Sequence, residues 1–67
     1  MMTFEPFRIF CLKNRKGRKD VIAETGLGST TVHRIFNDSH PVLTDTLETL
    51  CKTYNLKIDE VIEFRED

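Results

Sequence analysis

Apolar residues recur at spacings of three and four along five short segments of the chain, and each segment predicts an amphipathic helix. Glycines, prolines and clusters of Asn, Asp and Ser separate the segments. The prediction is an all-α fold with no convincing strand and with helices over about residues 6–15, 18–25, 29–37, 44–54 and 58–64.

Residue types at the ends of these segments predict where the helices start and stop. A basic last turn followed by Gly17 ends the first helix. Gly26 ends the second, at a position that needs left-handed backbone. Residues 37–41 form a turn-rich loop, and either Thr44 or Asp45 gives an N-cap signal for the fourth helix.

The inward-facing positions of the segments predict one shared hydrophobic core. Its members fall on the apolar stripe of each segment: Phe7, Phe10, Cys11, Val21, Ile22, Leu27, Val32, Ile35, Phe36, Leu47, Leu50, Cys51, Tyr54, Leu56, Val61 and Ile62. Ile9 and Leu12 widen the stripe of the first helix, and Ile58 faces inward in the fifth. Phe64 lies outside its stripe, which makes it a candidate for a partner surface.

A chain of 67 residues supports one domain, residues 1–67, with one core. Its longest apolar run is the four residues Ile9 to Leu12, against roughly 18 for a membrane span. The N-terminus lacks the basic and apolar regions of a signal peptide. We therefore expect a cytoplasmic protein without a membrane partner.

The two cysteines, Cys11 and Cys51, are expected to be small buried apolar residues rather than a disulfide. A zinc site would also need His33 and His40, and these spacings fit no common zinc pattern. We expect no metal and no other cofactor. The sequence contains no evident nucleophile, base and acid set, so no catalytic residue, enzyme activity or small-molecule ligand is predicted.

Charge is distributed unevenly although the net charge is only −1. Residues 1–19 hold six of the ten Lys and Arg residues, and residues 59–67 hold five of the eleven acids. In a molecule with such an uneven distribution, the local electrostatic field matters more for binding than the net charge does. The basic cluster alone is compatible with phosphate contact or with a solvated loop; its members are Lys13, Arg15, Lys16, Arg18 and Lys19.

The second and third segments are joined by Gly26-Leu27-Gly28. Two short helices with a three-residue, glycine-containing turn between them are typical of a helix-turn-helix. The motif covers about residues 18–37.

The stretch "DVIAETGLGSTTVHRIFN", residues 20–37, resembles the helix-turn-helix of the Cro/C1 repressor family and, locally, that of the lactose-repressor family. The stretch "TDTLETLCKTYNLKIDEVIEF", residues 44–64, is similar only to the Cro/C1 ending, since the lactose-repressor family continues to a hinge and a sugar-binding domain. The resemblance covers about residues 7–64 and implies a compact five-helix Cro/C1 repressor-like domain. Ile22 and Arg18 depart from the alanine and glutamine that the family often has there.

The resemblance implies that the third segment enters the major groove of double-stranded DNA by its N-terminal part. The base-reading residues would be Ser29, Thr30, His33 and Arg34. The phosphate contacts would be Arg15, Lys16, Arg18, Lys19, Gly28, Thr31 and Asn37. In the alternative, Ser29 only caps the helix and Arg34 is a solvated charge.

These expectations describe a sequence-specific transcriptional regulator, a small repressor that binds an inverted-repeat operator as a homodimer. It would act in the cytoplasm of a bacterial or phage-infected cell, where it would be associated with the nucleoid. The dimer surface would include Val42, Leu43 and Phe64, which could instead simply cover the core. The alternative function is a protein-interaction module of the antitoxin or anti-repressor type.

Overall fold

Four α-helices make up most of the part of the chain that the computed structural model describes, residues 1–39 and 41–66. They are α1 (Glu5–Lys13), α2 (Arg18–Thr25), α3 (Ser29–Asn37) and α4 (Thr44–Tyr54). A 3₁₀ turn (Ile58–Glu60) follows α4. His40, in the predicted turn-rich loop and in the zinc alternative, and Asp67, in the acidic tail, lie outside the described residues.

A small antiparallel sheet joins the two ends of the described chain. Strand β1 (Met2–Thr3) pairs with β2 (Glu63–Phe64), so that Met2 lies opposite Phe64 and Thr3 lies opposite Glu63. The prediction of a fifth helix over residues 58–64 is therefore wrong, as is the prediction that the fold has no strand. The helical turn stops at Glu60, and β2 satisfies its backbone groups by pairing with β1.

The predicted bounds of α2, α3 and α4 are confirmed, whereas α1 starts one residue earlier than predicted and ends at Lys13. Arg15, not Gly17, is the left-handed residue that ends α1, with φ of 54°. The N–H of Lys16 then donates to the Cys11 carbonyl at 2.8 Å, which is a Schellman ending. Gly17 is instead the N-cap residue of α2, and its N–H donates to the Asp20 carboxylate at 2.8 Å.

The predicted side-chain N-cap of α4 is also wrong. Leu43 is the N-cap residue, and it has no side chain that can accept a hydrogen bond from the helix. Thr44 and Asp45 lie one and two positions further along, inside the first turn. Asp45 still favours this helix start because a negative charge there complements the helix dipole.

One hydrophobic core lies between the four helices and the chain ends. Its fully buried members are Phe4, Phe7, Cys11, Val21, Val32, Ile35, Leu50 and Val61. Half-buried residues pack around them, namely Phe10, Ile22, Leu27, Phe36, Val42, Leu47, Cys51, Tyr54, Leu56 and Ile62. Every residue of the predicted core lies in this cluster, which Phe4 and Val42 extend.

Three apolar residues that were expected to face the core are exposed: Ile9, Leu12 and Ile58. Ile9 and Leu12 lie beside the stripe of α1 that points inward, and only Phe7 and Cys11 on that helix are fully buried. Ile58 is the first residue of the 3₁₀ turn. The prediction that its side chain faces inward assumed α-helical geometry, which differs from that of a 3₁₀ turn.

Both cysteines are free thiols, as the sequence predicts. Cys11 is buried as predicted, whereas Cys51 is only half-buried. Burial raises the pKa of the Cys11 thiol to about 11. Across the described residues, no helix combines the length and the apolar character that a membrane crossing requires.

Candidate nucleic-acid interface

The turn between α2 and α3 is built from backbone geometry and one threonine. Gly26 has φ of 77°, which confirms the predicted left-handed residue, and its N–H donates to the Ile22 carbonyl at 3.0 Å. The Thr25 hydroxyl donates to the Val21 carbonyl at 2.6 Å and accepts the Leu27 N–H at 3.1 Å. Because a side chain at Gly26 would be strained at this φ, the turn selects glycine there.

Helix α3 buries one face and presents the other to solvent. Val32 and Ile35 are fully buried. The outer face of α3 consists of five exposed polar residues that fall within an arc of about 140° at 100° per residue: Ser29, Thr30, His33, Arg34 and Asn37. Within this fully described helix no carboxylate is present, so nothing on its outer face repels an anion.

Arg34 lies on the outer face of α3, where its guanidinium contacts the loop that leads to α4. Its Nη1 donates to the Pro41 carbonyl oxygen at 3.3 Å. This bond uses one of five N–H donors on the planar group, so Arg34 retains the capacity for two parallel hydrogen bonds to a further acceptor.

Arg18 connects the start of α2 to the end of α3. Its guanidinium carbon lies 5.2 Å from the centre of the Phe36 ring, and its Nη2 lies 3.4 Å from the Asn37 side-chain oxygen. Lys19 follows it in the exposed first turn of α2. The predicted phosphate residues Arg18 and Asn37 therefore share one surface with the outer face of α3, and Lys19 is exposed next to Arg18 in sequence.

The remaining predicted phosphate residues differ in their exposure. Arg15 and Gly28 are exposed, and Thr31 is half-buried. Lys16 already has partners in the protein, because its ammonium lies 2.9 Å from a Glu24 oxygen and 5.5 Å from the centre of the Tyr54 ring. The Lys16 bond is the main cause that lowers the pKa of Glu24, whose other oxygen accepts the Tyr54 hydroxyl at 2.7 Å.

Sequence reasoning missed the residue that fixes the C-terminal end of α3. Asp38 adopts a left-handed backbone with φ of 53° directly after the helix. Its carboxylate accepts Arg8 Nη1 at 2.8 Å and Arg8 Nη2 at 3.1 Å. It also accepts the Thr3 hydroxyl at 2.7 Å and the Phe4 N–H at 2.8 Å.

The pKa of Asp38 is held well below its usual range, first by the Arg8 hydrogen bonds and then by those of Phe4 and Thr3, against the opposing effect of burial. No local pattern signals this site, because Arg8 lies far from Asp38 in sequence. An aspartate in a turn-rich segment indicates a turn by itself.

The three residues predicted for a dimer surface lie outside the outer face of α3. Leu43 is 71% exposed and Phe64 is 67% exposed, whereas Val42 is half-buried against the core. Leu43 and Phe64 are thus exposed enough to contact a partner, whereas Val42 mainly covers the core.

Two consecutive helices joined by a glycine turn, with a polar and cationic surface on the second helix, define the helix-turn-helix class of DNA-binding domain. Residues 7–67 match the family model described as the Cro/C1-type HTH DNA-binding domain, and the chain belongs to this family. The resemblance stated from the sequence is confirmed. Comparisons with curated proteins and with solved structures gave no match.

Proposed function

We propose that this protein is a sequence-specific transcriptional regulator that reads double-stranded DNA with the outer face of α3 and acts as a repressor. The observation that carries the proposal is that this face holds hydroxyl, imidazole, guanidinium and amide groups with no carboxylate. These are the donors and acceptors that recognise base edges in a major groove.

The base-reading roles follow from position along α3. Ser29 and Thr30 occupy the first turn, where small side chains allow the backbone to approach DNA closely, and their hydroxyls can bond base edges. Arg34, one turn further on, is suited to a bidentate contact with the O6 and N7 atoms of a guanine. His33 lies between them on the same face.

Phosphate contacts would flank the reading helix and fix its register. Arg18 and Lys19 begin α2, where the helix dipole adds to their positive charge. Asn37 lies beside Arg18 at the other end of the surface. Exposed Arg15 and Gly28, together with Thr31, complete the set, whereas Lys16 would have to release Glu24 to take part.

A dimer is part of the proposal because one such helix contacts too few base pairs to define a site in a genome. Two copies on an inverted repeat, with half-sites roughly 10 base pairs apart, supply the missing specificity. A dimer seated over an operator represses by excluding polymerase, which requires no catalytic group, metal or small molecule. We expect it to act in the cytoplasm, on bacterial or phage DNA.

The alternative, a protein-interaction module, would be expected to carry apolar side chains on the outer face of α3. The five exposed residues of that face are all polar, and this favours nucleic acid.

The test is selection of bound duplexes from a randomised pool at about 150 mM salt, where nonspecific phosphate binding is weak. We expect an enriched inverted repeat with two half-sites. Failure of the folded protein to enrich any sequence would contradict the proposal and favour the protein-interaction module.

A further inference from the structure

Arg18, the first residue of α2, contacts two residues at the end of α3. Its guanidinium carbon lies 5.2 Å from the centre of the Phe36 ring, within the range of a cation–π contact. Its Nη2 lies 3.4 Å from the side-chain oxygen of Asn37. The planar group therefore has a ring to rest on and a polar partner at one edge, although Arg18 is exposed to solvent.

Phe36 is suited to this contact because it lies where the buried and exposed faces of α3 meet. At 100° per residue it falls about 40° around the helix from buried Val32 and about 20° from exposed Ser29. The ring is half-buried and packs against the core. Because a packed ring has few alternative positions, it offers the guanidinium a fixed surface.

Asn37 sets the orientation of the guanidinium on that surface. A guanidinium has only donors, so the Asn37 atom that faces it is the amide oxygen. Among the described residues, no hydrogen bond uses the amide nitrogen of Asn37, and Arg18 retains further N–H donors. Both side chains can therefore donate to an anion that lies beside them.

The charges around Arg18 leave its guanidinium available to such an anion. None of the ion pairs of the described residues includes Arg18. The nearest acid in sequence, Asp20, lies about 200° around α2 from Arg18, where its carboxylate accepts the Gly17 N–H. Helix α3 contains no carboxylate. In the proposed function the anion is a phosphate of the DNA backbone.

Lys19, the next residue of α2, provides a comparison. It is exposed as well, but no described contact fixes its ammonium. A lysine side chain loses rotational freedom when it binds a phosphate, whereas Arg18 has already lost part of this freedom in the free protein. Preorganisation of this kind raises affinity without adding a contact.

We infer that Phe36 is a positioning residue for DNA binding, because its ring holds the Arg18 guanidinium in place for one backbone phosphate. Asn37 sets the orientation of the guanidinium on the ring. The inference rests on the proposed function, since DNA supplies the phosphate. It deepens that function by giving a half-buried aromatic residue, which need not touch DNA, a part in binding it.

The test is a double-mutant cycle in binding to a duplex of about 20 base pairs and arbitrary sequence, measured by fluorescence anisotropy from about 30 to about 150 mM salt. No operator is needed, because phosphate contacts do not depend on base reading. Arg18→Ala should weaken binding and reduce the salt slope by about 1, which corresponds to one lost phosphate contact. Phe36→Leu should weaken binding about two- to fivefold at an unchanged slope, because the contact remains but its preorganisation is lost.

The coupling between the two residues separates positioning from packing. In the Arg18→Ala background, Phe36→Leu should cause no further loss of affinity. Phe36→Tyr keeps the ring and should bind like the parent. Phe10→Leu is the matched control, because Phe10 is also a half-buried aromatic residue but stacks on Phe7, and it should leave binding unchanged. The losses caused by Lys19→Ala and Phe36→Leu should simply add.

Equal losses from Phe36→Leu with and without the Arg18 side chain would overturn the inference. Parent-like binding by Phe36→Leu, or an unchanged salt slope in Arg18→Ala, would overturn it too. Thermal melts establish that each variant is folded at the temperature of the binding assay.

The selection of duplexes distinguishes these outcomes from failure of the proposed function. The expected coupling with no enriched sequence contradicts only the sequence-specific regulator. An enriched operator without the coupling contradicts only the positioning role of Phe36. A folded parent that binds no duplex at the lowest salt contradicts both.

Discussion

The guanidinium of Arg8 and the carboxylate of Asp38 form two parallel hydrogen bonds, at 2.8 and 3.1 Å, between α1 and the end of α3. Both side chains are mostly shielded, with 27% and 18% exposure. Arg8 Nη1 also lies 3.3 Å from the carbonyl oxygen of Ile35, in the last turn of α3. One charged pair thus holds α3 against α1.

Replacement of Asp38 by asparagine should destabilise the fold by about 1.5–3 kcal/mol. An amide retains the shape but cannot accept both Arg8 bonds together with those of Thr3 and Phe4, and bonds to a charged group contribute about this much. Urea unfolding measures the change. Asp59→Asn, at an exposed acid of the 3₁₀ turn, is the matched control and should alter stability by less than about 0.5 kcal/mol.

The same carboxylate should make stability depend on pH in the acid range. The folded state lowers the pKa of Asp38, so its contribution is fully present above the unfolded pKa of about 4 and declines as the pH falls below it. We expect the difference in melting temperature between the parent and Asp38→Asn to shrink as the pH falls from about 5 to about 2.5, because this interval spans the unfolded pKa of an aspartate, about 4. A difference that stays constant over this interval would show that the Asp38 carboxylate is not the titrating group.

The helix-turn-helix could be predicted from the sequence because its signals are local. The spacing of Val32, Ile35 and Phe36 and the glycine at 26 determine the bounds of α3 without distant partners. The prediction of a fifth helix failed because the pattern of Ile62 and Phe64 suits a strand as well as a helix. The pairing of Phe64 with Met2 decides in favour of the strand. The ion pairs of Asp38 and of Lys16, which was predicted only as a phosphate contact, could not be predicted, because Arg8, Glu24 and Tyr54 reach these residues only in the folded chain.

Truncation of Leu50 should test the core assignment. This residue is fully buried, so Leu50→Ala leaves a cavity and should cost about 2–5 kcal/mol. A domain of this length has a free energy of unfolding of roughly 3–10 kcal/mol, so we expect the variant to melt far lower or to be unfolded at 25 °C. Leu12→Ala, at a side chain that is 80% exposed, should leave the melting temperature nearly unchanged.

Removal of the Arg34 side chain should alter sequence preference without altering the fold. We expect Arg34→Ala to lose discrimination at one base position in each half-site, worth about 1–3 kcal/mol. Lys52→Ala removes the same charge from the exposed face of α4 and should keep the parent's preference. Competition binding with single-base variants of the selected site gives the measurement. Equal discrimination by both variants would remove Arg34 from the base-reading set.

The two thiols should react at different rates. Cys11 is 1% exposed and burial raises its pKa to about 11, so at pH 8 it is both shielded and protonated. Half-buried Cys51 should react first with a small disulfide reagent, and Cys11 only as the chain opens. Mass spectrometry locates the modified residue, and Cys51→Ser should abolish the fast phase. Rapid modification of Cys11 in the folded chain would contradict its placement in the core.

The pairing of Met2 with Phe64 encloses nearly the whole chain in a single loop. Closing so long a loop is entropically costly, so this pairing is expected to form after the helices have assembled and to be the first to open on heating. Amide protons of the two strands should then exchange with solvent faster than those of α3, through local fraying rather than global unfolding. The strands β1 and β2 would open and close locally while α3 remains folded.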